Sequence, residues 1–186
     1  MGSTGIVRKI DNLGRLVIPK EVRKTLHIRD GDSLEIFVDS DGEVILKKYS
    51  SISELGDFAK EYADSLYEAL GHITCIADRD QIIAVSGSPE KEYLNKRIAA
   101  LVEEVMDERR AVLINQPEQR SSCIVIADEE GKKCRYTAEV IAPIIVEGDP
   151  IGAVIIASKK MNPGFGELEF KSAVTAASFL AKQMEQ

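Results

Sequence analysis

The chain has no tryptophan, only two histidines (His27 and His72) and three cysteines (Cys75, Cys123 and Cys134). Two histidines are too few for a His-rich metal or acid–base centre. No G-x-S-x-G, H-E-x-x-H or Walker-type P-loop is present. An odd number of cysteines without a C-x-x-C pair argues against a disulfide framework and against a structural zinc site, and leaves reduced thiols in a cytoplasm as the expectation. The longest apolar runs stay under ten residues, and Ala138–Val146 is interrupted by Glu139. A membrane span needs roughly 18–20 apolar residues, so no membrane partner is expected. The N-terminus lacks an apolar stretch of signal-peptide length, which argues against secretion by that route. The adjacent carboxylates Glu103-Glu104 and Glu129-Glu130 are neighbours that point apart on a helix or loop, which suits a solvated surface better than acid–base work. No catalytic residue, metal or cofactor is implied.

What the chain does have is an ordinary globular composition, 44% hydrophobic and 30% charged over 186 residues, enough for one domain or two small ones. Its charge is unevenly placed. The net charge of −7 would repel a polyanion, yet residues 1–29 carry seven basic against two acidic residues, a local +5. Residues 30–46 then hold six acidic residues and no base, and residues 51–186 are again acidic. Fields between exposed charges fade within about 10 Å at 0.1 M salt, so a docking partner responds to the local charge.

Residues 4–11 (TGIVRKID) have β character, Asn12-Leu13-Gly14 is a turn signal, and Leu16-Val17-Ile18 resume as a strand. Pro19 suits the first position of a short helix, with Glu21 complementing the dipole of its first turn. Val22 and Leu26 are spaced to point inward, with Lys20, Arg23, Lys24 and His27 on the outer side, where His27 adds a candidate phosphate contact. Ser33–Asp39 alternates, with Leu34, Ile36 and Val38 on one face, as in a half-buried strand. Asp41-Gly42 is a hairpin turn and Val44–Tyr49 the returning strand. Fifty residues with so few large side chains cannot bury a sufficient core alone, and no disulfide or metal assists them. An obligate dimer with interleaved strands is therefore expected, and it doubles the basic residues available to one duplex.

The run TGIVRKIDNLGRLVIPKEVRKTL, followed by GDSLEIFV and EVILKKY, closely resembles the AbrB-type transition-state regulators over residues 3–50. That resemblance implies a DNA-binding swapped-hairpin barrel. It carries the DNA-contacting positions over as Arg8, Lys9, Arg15, Arg23 and Lys24. Lys24 stands where that family often has arginine; an ammonium neutralises phosphate but does not make a bidentate guanidinium contact. The loose sequence preference of the family implies readout through DNA shape as well as base edges.

Beyond Ser50, Ser51 with Glu54 reads as a capping box. Ile52, Leu55, Ala59, Tyr62, Leu66 and Ala69 then recur at helical spacing until Gly71. This stripe suits a core, with a helix-to-helix contact between chains as a second reading. Strands are expected at Ile73–Ala77, Gln81–Val85, Ser122–Ala127, Tyr136–Val146 and Ile151–Ser158. Helices are expected from Pro89 to about Arg109, with Tyr93, Leu94, Ile98, Leu101, Val102 and Val105 inward, and over Gly166–Gln186, with Leu168, Ala173, Ala176, Phe179, Leu180 and Met184 inward. Asp128–Lys133 reads as a charged loop and Glu147–Pro150 as a turn. Helices packed on an antiparallel sheet make an α+β sandwich.

The phrase APIIVEGDPIGAVIIAS is similar to the late strand–turn–strand of GAF domains, which are small-molecule sensory modules. Both modules in this order, with ISELGDFAKEYADSLYEALG and the ending AASFLAKQMEQ, resemble the stage V sporulation regulators, a family with an AbrB-type head and a GAF-type tail. Residues 107–140, where ligand-pocket loops are expected, resemble that family least. The expected organisation is 1–50 for DNA binding and dimerisation, 51–71 as a linking helix, and 72–186 as a GAF-like domain. The resemblance implies a regulator that both activates and represses sporulation genes. It also implies a homotetramer formed through both modules, an unidentified small-molecule ligand, and a cytoplasmic location in the forespore. Two alternatives stand beside it. Swapped-hairpin barrels also serve as antitoxins, usually with a disordered toxin-wrapping tail, whereas residues 51–186 read as folded. Some small GAF proteins are thiol reductases of methionine sulfoxide, for which Cys123 and Cys134 are the candidate thiols.

Overall fold

The computed structural model describes residues 6–26, 28–49, 52, 56–115, 125–126, 136–160 and 164–185, and it divides into two units, Met1–Tyr49 and Ser50–Gln186. The expectations for His27, the capping box at Ser51, the loop Asp128–Lys133, Cys123, Cys134 and most of the strand at Ser122–Ala127 lie outside the described residues.

In the first unit Gly14, at φ +75°, reverses the chain between two extended segments. These do not form the expected strands, because a strand exists through hydrogen bonding to a neighbour. The backbone bonds closing the reversal are Asp11 N–H to the Arg15 carbonyl at 3.1 Å and Gly14 N–H to the Asp11 carbonyl at 3.0 Å. The helix α1, Lys20–Thr25, follows Pro19, which occupies the cap position rather than the first turn. Strands β1, Leu34–Val38, and β2, Val44–Lys48, pair antiparallel from Leu34↔Lys48 to Val38↔Val44. Their turn is held by the Asp39 carboxylate, which accepts the N–H groups of Asp41 and Glu43, with Gly42 at φ +81°. An ion pair at 3.1 Å between Lys48 and the buried carboxylate of Asp32 ties the turn before β1 to the end of β2.

The apolar faces of this unit are not covered. Ile36 and Val38 are 66% and 72% exposed, and Leu26 is 53% exposed, so neither the strand face nor the inner side of α1 is buried as expected. One ribbon and one six-residue helix supply a single layer, and an apolar face needs a second layer to close on.

The second unit is built on a five-stranded antiparallel sheet ordered β4-β3-β7-β6-β5. The strands are β3, Ile73–Asp78; β4, Ile82–Ser86; β5, Val112–Asn115; β6, Ala138–Val146; and β7, Asp149–Ser158. β6 and β7 are joined by Glu147-Gly148, both at positive φ, a tight two-residue turn. One sheet face is covered by α2, Gly56–Leu70, and α5, Glu167–Met184. The other is covered by α3, Glu90–Tyr93, and α4, Ala100–Glu108. Alternation along β6 sends Ala138, Val140, Ala142 and Ile144 under α2 and α5, and Ile141 to the opposite side. The result is the α+β sandwich expected from the sequence, helices packed on both faces of an antiparallel sheet.

Four details differ from expectation. The continuous helix from Pro89 to Arg109 is two helices, because the chain between them pairs with the edge of β4. Asn95 N–H donates to the Ile82 carbonyl, Ile82 N–H to the Lys96 carbonyl, and Asn95 takes φ +59°. Sheet-edge bonding outweighs local helical preference there. β5 fills a stretch in which the sequence pattern places no element. Ala69 is exposed and Ala63 buried, so the stripe on α2 is rotated by part of a turn. Leu168 and Phe179, both expected inward, are 66% and 39% exposed, while Ala177 and Ala181 complete the inner face of α5.

Candidate nucleic-acid interface

The five basic residues named from the sequence all lie in the first unit. Arg8 and Lys9 are exposed on the extended segment before the Gly14 reversal. Arg15 leaves that reversal under the control of Asp11. One Asp11 oxygen accepts the N–H groups of Leu13 at 2.9 Å and Arg15 at 2.8 Å, while the other accepts Arg15 Nε at 2.8 Å. The N–H and guanidinium of Arg15 hold the Asp11 carboxyl below its usual range. A guanidinium fixed through Nε presents its two terminal nitrogens outward, the fork that suits a phosphate. Arg23 and Lys24 occupy the last turn of α1. Arg23 is half-buried and pairs with Asp30 at 2.7 Å, and Lys24 is exposed. The sequence reading did not identify Asp11 and Asp30 as partners of these arginines. The signal was present in the first case, since an aspartate opening an Asp-Asn-Leu-Gly turn commonly caps it through its side chain.

The second unit holds one group the sequence analysis left aside. Glu139 on β6 is fully buried, and neither carboxyl oxygen has a hydrogen-bond partner among the described residues. Burial pushes its pKa up to about 9 from an ordinary 4.5. Between those values the unfolded chain releases this proton and the folded chain keeps it, so stability falls as pH rises. The slope expected from this group is roughly 1.4 kcal/mol per pH unit from about pH 5 upward. Urea unfolding from pH 5 to 8.5 checks this: Glu139→Gln should remove that slope and gain on the parent protein as pH rises. Cys75 is buried, and its thiol is pushed up by burial, so it is a poor nucleophile.

Residues 54–185 match the family model described as the stage V sporulation protein T C-terminal, transcription factor domain. Stage V sporulation protein T of Bacillus subtilis (strain 168) is 59% identical over 186 residues, all of both chains. The chain belongs to the stage V sporulation protein T family. Members are transcription factors, and the expectation of a sporulation transcription regulator rather than an enzyme stands with them. Residues 7–54 match the family model for antidote-toxin recognition MazE, a bacterial antitoxin. The transition state regulatory protein AbrB of the same Bacillus is 65% identical over 49 residues, 26% of this chain and 50% of that protein, so the head is of AbrB type. Among solved structures, the GAF domain of an Acinetobacter phosphoenolpyruvate-protein phosphotransferase is similar at TM-score 0.57 and 16% identity, covering 73% of this chain and 88% of that one. A type II free methionine-R-sulfoxide reductase from Thermoplasma acidophilum is similar at TM-score 0.55 and 15% identity, covering 72% and 95%. At such identities the likeness shows a GAF-type fold and carries no activity.

Proposed function

We propose that this member of the stage V sporulation protein T family acts on double-stranded DNA as an intertwined homodimer of residues 1–50. Arg8, Lys9, Arg15, Arg23 and Lys24 of both chains face one duplex, as an activator at some sporulation promoters and a repressor at others. The observation that carries the reading is the state of the head. Thirteen large hydrophobic residues between Ile6 and Tyr49 are exposed, among them Val7 at 91% and Val17 at 75%, and the buried core begins only at Ile52. Thirteen large apolar side chains left open within fifty residues, with no buried core beneath them among the described residues, favour a surface that a second chain covers. A second head supplies both the missing layer and the hydrogen-bonding neighbours that the extended segments need.

Two dimers join into a homotetramer through the tail. Phe179 on α5 stacks on Phe58 at 5.9 Å and on Tyr62 at 5.3 Å from α2, and Phe179 and Leu168 stay 39% and 66% exposed. A second copy of this two-helix face covers those rings. The opposite side of the sheet is the place for ligand sensing, and the protein works in the cytoplasm of the forespore. Domain limits of 1–50, 51–71 and 72–186 accompany this arrangement.

The test is substitution at the head. Arg8→Ala and Arg23→Ala should each weaken binding to genomic fragments selected by the parent protein by about tenfold or more, the scale of a lost charged hydrogen bond. Circular dichroism and the native mass of four chains should stay unchanged. Loss of folding would make these arginines structural and overturn their assignment. A protein that runs as a single chain would overturn the assembly.

A further inference from the structure

Glu139 is the one acid whose two side-chain oxygens are both buried without a partner among the described residues. Buried polar groups are nearly always hydrogen-bonded, and an unpaired acid is costly to keep in the fold. Its neighbours Ala138 and Val140 point to the α2 and α5 side, so Glu139 points to the face covered by α3 and α4. Across the ladder it sits opposite Ala157 on β7 and Ile114 on β5.

Among the described residues, polar groups on this face include the thiol of Cys75, the hydroxyls of Tyr93 and Tyr136, 2.5 Å apart and buried, and the ammonium of Lys159. Lys159 Nζ lies 5.5 Å and 5.6 Å from the centres of the two tyrosine rings and 3.9 Å from Glu92. Lys159 Nζ thus lies over both rings, with Glu92 as its acidic partner. Among the described residues, α4 adds apolar cover from Leu101, Val102, Val105 and Met106. A buried acid without a counter-ion in an apolar enclosure is a receptor for a positive charge, because its carboxylate supplies the missing half of an ion pair.

We infer that the α3–α4 face of the second unit binds a small molecule through a protonated primary amine, which ion-pairs with Glu139 beside the Tyr93–Tyr136 pair. The inference rests on the reading of the tail as a sensor and names the chemistry it senses. Binding converts a neutral carboxyl into a carboxylate paired with ammonium, so the complex holds one proton fewer than its separate parts. The other titratable groups facing the site do not complicate that count. Cys75 from β3 and Tyr136 are both pushed up by burial and stay protonated at neutral pH. Tyr93 is bonded to Tyr136, and Lys159 pairs with Glu92.

The experiment uses the full chain at pH 7.5. Free amino acids and simple alkylamines are the probes, with dicarboxylates and nucleotides lacking a cationic amine as the second set. At least one amine should raise the melting temperature. Calorimetry in two buffers of different ionisation enthalpy should then show release of close to one proton per ligand. Glu139→Gln should lower the affinity by about 100-fold, the scale of losing one member of a buried charge pair, and abolish proton release. The count on unaltered protein holds even if the variant misfolds. Silence from every amine, or amine binding without proton release, overturns the inference. A shift from the second set alone overturns it too, while leaving the sensor reading intact. DNA binding and native mass on the same samples keep failure here distinct from failure of the regulator reading.

Discussion

Raising the salt from 50 to 200 mM weakens binding of this chain to duplex DNA by about 10³–10⁵-fold. The expectation follows from where the charge sits. Overall the protein carries −7, and a molecule bound through its whole-body field would bind no worse as that field is screened. On the proposed reading five cations on each of two heads face one duplex, and contact with roughly 6–10 phosphates would release their condensed counterions. The slope of log K against log salt should therefore lie near −5 to −9, at about −0.9 per phosphate. Each loss of one phosphate contact, as in Lys9→Ala, should bring it closer to zero by about one. The pairs Arg15–Asp11 and Arg23–Asp30 do not prevent this. Asp30 is 96% exposed and Arg15 70%, and ion pairs that open to water contribute little. Titration of a labelled duplex by fluorescence anisotropy at four salt concentrations gives the slope. A flat line would mean that the basic stretch does not meet phosphate.

Gly152→Ala should unfold or severely weaken the second unit and leave the head unaffected. Gly152 lies on β7, paired with Asp78 on β3 and Ile144 on β6, in the middle of the five-stranded sheet. A Cβ at this position would stand 2.2 Å from the backbone carbonyl oxygen of Ala77 and 3.3 Å from the Ile52 side chain. The carbonyl belongs to the β3 backbone, so relief requires β3 and β7 to separate and lose ladder bonds. Overpacking usually costs about 1–3 kcal/mol, and a clash with fixed backbone belongs at or above the top of that range. A fall in melting temperature of roughly 10 °C or more is expected for a unit of this size. Gly148→Ala is the control. Its φ of +88° strains any other residue, but nothing lies within 4 Å of the added carbon, so its cost should stay near 1 kcal/mol. Calorimetry of both variants separates the cases. Equal and small losses would show that β3 and β7 do not pack as described.

Much of this was legible in the amino-acid order. The β1–β2 hairpin is written in Asp41-Gly42 and in the acceptor at Asp39. The late hairpin of the tail is written in Glu147-Gly148 between two β-branched runs. Such turns depend on a few adjacent residues and on φ values that glycine adopts freely. The basic head and its AbrB likeness are equally local, since every residue that carries them falls within the first fifty. Arg15 was legible as a candidate contact, and with it the turn that Asp11 caps.

What required three dimensions is whatever depends on partners far away in the chain. The break at Asn95 follows from hydrogen bonds to the edge of β4. Leu168 and Ala69 fit a helical stripe as well as Ala177 and Ala63 do, and only the direction of the sheet beneath each helix selects which pair is inside. Glu139 reads in sequence as one charge interrupting an apolar strand. Its burial comes from the strands beside it and the helices across that face, together with the loss of water around it. By itself the sequence determined the local turns, the charged head and the family, because these rest on neighbouring residues. Tertiary structure decided which faces close, which stay open for a second copy, and which acid is left without a partner, because burial and desolvation belong to the assembled layers.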